Sequence, residues 1–179
     1  PLLLMGARQV GKTFSLKQLG KDKFTNTVYL NFEDKPRLCQ LFEVGLEPEK
    51  IVKALSIEFD TEIKAGETLI IFDEVQECPS ALNSLKYFYE NAPQYHIVAA
   101  GSLLGVKLSH TKGFPVGKVQ FLTLYPLSFS EFLNAVQELK LVEFVNDMNN
   151  LDQLPPNIHD KLLDRFKEYL YVGGMPEAV

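Results

Sequence analysis

The sequence predicts an α/β fold in three layers: a central parallel sheet of about five strands, helices on both of its faces, and further helices toward the C-terminal end. Three observations carry this. Short apolar runs alternate with stretches of helical periodicity. The first run, Pro1-Leu2-Leu3-Leu4-Met5, leads into a segment that fits G-x-x-x-x-G-K-[ST] in full. A later run, Leu69-Ile70-Ile71-Phe72, ends in the paired carboxylates Asp73-Glu74.

The elements follow in order. The opening run is a strand, and the helix after the loop presents Phe14, Leu16 and Leu19 as its apolar side, with Gly20 as a stop. Thr27 to Phe32 is β-branched and aromatic and reads as a second strand, closed by the turn-like Glu33-Asp34-Lys35-Pro36. From Pro48, the spacing of Ile51, Leu55 and Phe59, with Val52 and Ile63 beside them, predicts an amphipathic helix closing near Gly66. Thr68 to Phe72 is uninterrupted apolar after its first residue, the pattern of a strand buried on both faces. A helix from Pro79 carries Leu82, Leu85, Phe88 and Tyr89, and Tyr95 to Ala100 is the next strand. Val119 to Leu124 is a further strand, and Ser128 with Glu131 has the spacing of a capping box opening a helix at Phe132-Leu133. Beyond a polar, proline-marked stretch at 146–157, a last helix carries Ile158, Leu162, Phe166, Tyr169 and Leu170 and stops at Gly173-Gly174. The expected organisation is a core over 1–134 and a helical extension over 135–179.

Composition bounds the partners. A net charge of -5 gives no support to non-specific nucleic-acid binding, although a local basic face is compatible with it. No apolar run approaches membrane-spanning length. Cys39 and Cys78 lie far apart without metal-ligand spacing, so the expectation is two small buried hydrophobes in a reducing, cytoplasmic setting. The chain lacks an initiator Met and ends at Gly173-Gly174-Met175-Pro176-Glu177-Ala178-Val179, which reads as a domain from a longer protein.

The chemistry concentrates at the strand ends. Gly6, Ala7, Arg8, Gln9, Val10, Gly11, Lys12, Thr13 and Phe14 form the nucleotide-binding stretch, because a glycine-rich loop running into a helix turns successive N–H groups toward one anion. Lys12 would meet the β- and γ-phosphates, and the Thr13 hydroxyl would bind Mg²⁺. Asp73 is the second metal residue and Glu74 the base for an attacking water, at the strand end where open α/β sheets place ligands. Ser102, after the strand ending at Ala100, stands where a short polar side chain meets the γ-phosphate or its water, against the simpler reading of a strand-end turn. Asn31 or Glu33 would restrain Glu74 if their strand neighbours that of Asp73. Only Arg8, Arg37 and Arg165 are arginines, so a transition-state arginine is scarce, and basal turnover is expected to be slow. Arg165, a neighbouring subunit or a region outside this sequence would have to supply one, with Lys118 a weaker stand-in. His96, His110 and His159 show no ligand spacing.

Together with Gly6 to Thr13 and Leu69 to Cys78, the segments Gly101-Ser102-Leu103-Leu104, Tyr125-Pro126-Leu127-Ser128-Phe129-Ser130-Glu131-Phe132 and Tyr171-Val172-Gly173-Gly174-Met175-Pro176 resemble the AAA-type P-loop ATPases of prokaryotes that carry a C-terminal DUF4143 domain. The resemblance implies a P-loop NTPase core of AAA+ type with strand order 5-1-4-3-2, Ser102 near the sensor-1 position and Asn31 near the position restraining the catalytic Glu. It also implies ATP/ADP and Mg²⁺ as cofactors, and a protein partner or self-association through the C-terminal domain. Family members often carry Gly-Arg where this chain has Gly117-Lys118. The expected activity is hydrolysis of Mg-ATP driving a conformational change; the alternative is a slow or non-hydrolysing nucleotide-dependent switch controlling a partner protein or a DNA-associated module.

Overall fold

A computed structural model describes residues 1–43, 45–102, 117–147 and 154–179. Leu103, Leu104, His110 and half of the polar stretch at 146–157 lie outside the described residues. The chain divides into two compact units, Pro1–Leu124 and Tyr125–Val179.

The first unit is built on a five-stranded parallel sheet, β1 (Leu2–Met5), β2 (Asn26–Asn31), β3 (Thr68–Asp73), β4 (His96–Gly101) and β5 (Gln120–Thr123), in the order β2-β3-β4-β1-β5. That is the expected strand order. Every residue of β3 is buried, as its unbroken apolar run requires of a strand covered on both faces. The two-residue period of the strands sorts the core. Leu3, Val28, Leu30, Ile70, Phe72, Ile97 and Ala99 pack on one side with residues of α2 (Pro48–Glu58) and α3 (Pro79–Asn91). Leu4, Leu69, Ile71, Val98 and Ala100 pack on the other with Leu16 of α1 (Lys12–Lys23). Phe32, Phe42 and Phe72 meet edge to face, with centroids 5.3 to 5.9 Å apart.

Several local expectations change. Helix α1 runs through Gly20 to Lys23, and Gly20 is there for close approach rather than as a stop: a Cβ on it would lie 2.3 Å from Thr27 Oγ1 on β2. Helix α2 ends at Glu58, and Ile63 is buried from the segment beyond it. Phe14 is 72% exposed and Tyr89 half-exposed, so neither joins the apolar face its spacing suggests.

Cys39 and Cys78 form a disulfide, which corrects the expectation of two unpaired thiols. The reason lies in strand order. β2 and β3 are neighbours with Asn31 opposite Asp73, so the 3-10 turns that follow them, Pro36–Phe42 and Val75–Glu77, leave the same sheet end side by side. Spacing along the chain carries no trace of that proximity.

The described residues of the second unit form α4 (Phe129–Ala135), α5 (Leu139–Asp147) and α6 (Pro156–Val172). The capping box forms in full: Ser128 Oγ accepts from Glu131 N, and Glu131 accepts from Ser128 N. Gln137, at φ 61°, lies in the break between α4 and α5. Phe132, Leu133 and Val142 form a small core against Phe129, Leu162 and Tyr169. The Tyr125–Phe132 and Tyr171–Pro176 segments are joined directly. Leu127 N donates to Gly174 O at 2.7 Å, and a Cβ on Gly174 would lie 2.3 Å from Leu127 O. Tyr169 Oη donates to Leu127 O at 2.8 Å.

Candidate functional site

The carboxyl ends of β3, β4 and β1 are adjacent in the sheet, and they deliver Asp73-Glu74, Ser102 and the Gly6–Thr13 loop to one edge. Glycine is required at two points of the loop. A Cβ on Gly6 would lie 2.4 Å from Leu124 O, and Gly11 caps α1 at φ 92°. Gln9 adopts φ 62°, the left-handed region that bends the loop so that the backbone curls ahead of the helix.

Lys12 is only 5% exposed, and its Nζ donates to Gly6 O at 3.0 Å and Ala7 O at 2.7 Å. Burial pushes its ammonium below the ordinary lysine value, and the carboxylates of Glu74 and Asp73 push back. A positive charge is therefore stored inside the loop at a desolvation cost that an anion would relieve.

Asp73, 1% exposed, is held on three sides. Its Oδ2 accepts from Thr13 Oγ1 at 2.6 Å and from Tyr29 Oη at 2.8 Å, and its Oδ1 accepts from Glu74 N at 3.0 Å. Burial, then the bond to Asp73, raise the Tyr29 hydroxyl pKa well above the ordinary phenol value, so Tyr29 is a donor throughout the physiological range. Sequence reasoning misses Tyr29; the signal available is its place two residues before Asn31 on the strand paired with β3. Thr13 and Asp73 together present hard oxygens 2.6 Å apart, a donor set of the kind that binds Mg²⁺ alongside substrate phosphates.

Glu74 occupies the left-handed region at φ 49°, and its Oε2 accepts from Ser102 Oγ at 3.2 Å, from Ser102 N at 3.4 Å and from Gln76 Nε2. Ser102 is 3% exposed. The structure thus brings Ser102 and Glu74 together. It does not do so for Asn31 or Glu33. Asn31 Oδ1 accepts from Glu33 N and Asp34 N, closing the turn after β2, while the Glu33 carboxylate pairs with Arg8 at 3.2 Å. Lys118 lies before β5, at the end of the parallel sheet remote from the loop, where it pairs with Glu90 at 3.5 Å. It is therefore no stand-in for an arginine over the phosphates. Arg165 donates to Glu138 and Glu168 within the second unit. His159 pairs with its neighbour Asp160, and among the described residues no group of three His, Cys, Asp or Glu side chains is suited to a metal.

A phosphate-loop motif after β1, with paired carboxylates at the end of β3 and β4 lying between the two strands, fits the α/β P-loop NTPase fold that this parallel sheet and its flanking helices define. A model of the AAA domain family matches residues 1–133, and the chain belongs to that family. Among solved structures, it is similar to PCH-2 of C. elegans at 18% identity and a TM-score of 0.51, over 97% of this chain and 50% of that one. It also matches the Orc1 protein of Aeropyrum pernix, solved in complex with DNA, at 16% identity and a TM-score of 0.44, over 77% of this chain and 43% of that one. The chain spans half the length of these structures or less. No curated protein matches it. No described helix is long and apolar enough to cross a membrane.

Proposed function

We propose that the chain binds Mg-ATP at Gly6–Phe14 and hydrolyses it to ADP and phosphate, the resulting change in the site driving a conformational change in the protein. The observation that supports this most directly is the convergence of Lys12, Thr13, Asp73, Glu74 and Ser102 on one sheet edge. Loop N–H groups and Lys12 would hold the phosphates, and Thr13 and Asp73 would hold the metal. Bound Mg²⁺ supplies charge neutralisation for the β- and γ-phosphoryl oxygens. Glu74 takes a proton from water as the water oxygen bonds to the γ-phosphorus, the bond to the β–γ bridging oxygen breaks, and ADP departs. Ser102, bonded to Glu74, fixes the base and meets the γ-phosphate side of the site. Adenine is favoured by the absence of an Asn-Lys-x-Asp segment. A C-terminal DUF4143-type region would carry the partner contacts or the self-association.

A slow nucleotide-dependent switch, controlling a partner protein or a DNA-associated module, is the second reading. It is favoured by the arginines: residues 1–124 contain only Arg8 and Arg37, each exposed and paired, with Glu33 and Glu58 respectively. An arginine contributes a large factor to phosphoryl transfer. Phosphate release from ATP, measured for the full chain and for Glu74→Gln alongside nucleotide affinity, separates the two. Hydrolysis is expected to fall by at least about 100-fold in the variant while ATP still binds. Binding with negligible turnover in both proteins supports the switch, and no nucleotide binding overturns both readings.

A further inference from the structure

The 3-10 turn Val75–Glu77 carries a side chain that the proposed reaction has not yet used. Gln76 Nε2 donates to Glu74 Oε2, the same oxygen that accepts from Ser102 N and Ser102 Oγ. The other end of the Gln76 amide, Oε1, is buried without a hydrogen-bond partner. A buried carbonyl left unpaired is costly, and an apolar side chain of the same length would avoid the cost. The amide therefore earns its place through its donor. The turn holding it is firmly built. Glu77 N donates to Glu74 O and Cys78 N to Val75 O, both at 3.0 Å, and Cys78 is tied to Cys39 by the disulfide. Glu74 itself sits in a left-handed conformation that costs a non-glycine residue energy, so the surroundings dictate its placement.

All the side-chain bonds described for Glu74 converge on Oε2, and none reaches Oε1. We propose that Gln76 is a positioning residue for hydrolysis: with Ser102 it clamps one oxygen of the Glu74 carboxylate and so fixes the other, Oε1, as the atom that takes the proton of the attacking water. This rests on Glu74 being the base. Two donors from different elements, one on the turn after β3 and one after β4, hold a carboxylate's plane in a way that one cannot, and small misplacements of a reacting group are expensive in rate.

The test uses two variants of the full chain. Gln76→Met keeps length and removes both amide groups, and Gln76→Glu keeps shape and removes the donor. Steady-state kcat and KM, ATP affinity and melting temperature are measured for each, with wild type and Glu74→Gln alongside. Both variants are expected to lose roughly 10-fold or more in kcat with KM and ATP affinity within about two-fold of wild type. Gln76→Met is also expected to melt no lower than wild type. Wild-type kcat in both variants overturns the assignment while leaving hydrolysis by Glu74 intact. So does a loss confined to KM, or a failure of both variants to fold, either of which makes Gln76 a binding or structural residue. Wild-type protein without turnover, or Glu74→Gln with full turnover, overturns the reading on which the assignment rests and the assignment with it.

Discussion

Lys12 shows what a single residue of this site costs and does. Its ammonium is buried among loop carbonyls, and its lowered pKa measures the desolvation of a charge that water would otherwise hold. Replacing it with Met should leave the melting temperature of the nucleotide-free chain unchanged or higher, because a buried charge is removed. ATP affinity should weaken by about 2 to 5 kcal/mol, read by titration with a fluorescent nucleotide. A variant that loses stability and affinity in parallel would contradict this division between fold and function. Lys12, Thr13, Asp73 and Glu74 could be proposed from the sequence because the chemistry assigned to them rests on short spacings beside apolar runs. Tyr29 and Gln76 were not. Their roles come from hydrogen bonds to Asp73 and Glu74, and nothing in a tyrosine on a strand or a glutamine in a turn announces a partner.

At the scale of elements, Gly20 sets two principles against each other. Helix propensity alone predicts that Gly20→Ala stabilises α1 by about 1 kcal/mol. Packing predicts the reverse, since the new Cβ would meet Thr27 Oγ1 at 2.3 Å and α1 would have to move off β2. We expect a net loss of about 1 to 3 kcal/mol in chemical denaturation, because overpacking at a close crossing outweighs propensity. In the second unit one carboxylate ties the start of α5 to α6. Glu138 accepts from Lys161 at 2.6 Å and from Arg165, and these bonds hold its carboxyl below the ordinary value. A depressed folded-state pKa means stability that is present above the ordinary glutamate range and lost as pH falls through the folded-state value. Helicity of the second unit, followed by circular dichroism from pH 7 to 3, should therefore decline toward the acid end. Glu138→Gln should remove that part of the dependence.

For the molecule as a whole, the Cys39–Cys78 link closes a loop between residues 39 apart in the chain. Loop-closure entropy sets its contribution at about 4 kcal/mol, through restriction of the unfolded chain. The denaturation midpoint is accordingly expected to fall on reduction, and Cys39→Ser is expected to reproduce the fall without added reductant. An unchanged midpoint would show that the link does not form in solution. The same link anchors the turn after β3, so stability and the placement of Gln76 share one covalent tie.

Sequence alone determined the alternation of strands and helices, the phosphate loop, the carboxylate pair and the capping box, because each of these is local: a period of two or 3.6 residues, or a spacing within one turn. Helix ends at Glu58 and Lys23 escaped it: apolar spacing continues past Glu58, where α2 stops, and Gly20, a stop signal by its residue type, lies inside α1 because the helix packs closely on β2 there. The tertiary structure alone decided which ends of which strands lie together. Adjacency of β2 with β3 paired Cys39 with Cys78 and set Tyr29 on Asp73, and adjacency of β3 with β4 set Ser102 on Glu74. It also sent Lys118 to the opposite end of the sheet. Contacts across a parallel sheet join residues dozens of positions apart, and local patterning carries no information about them.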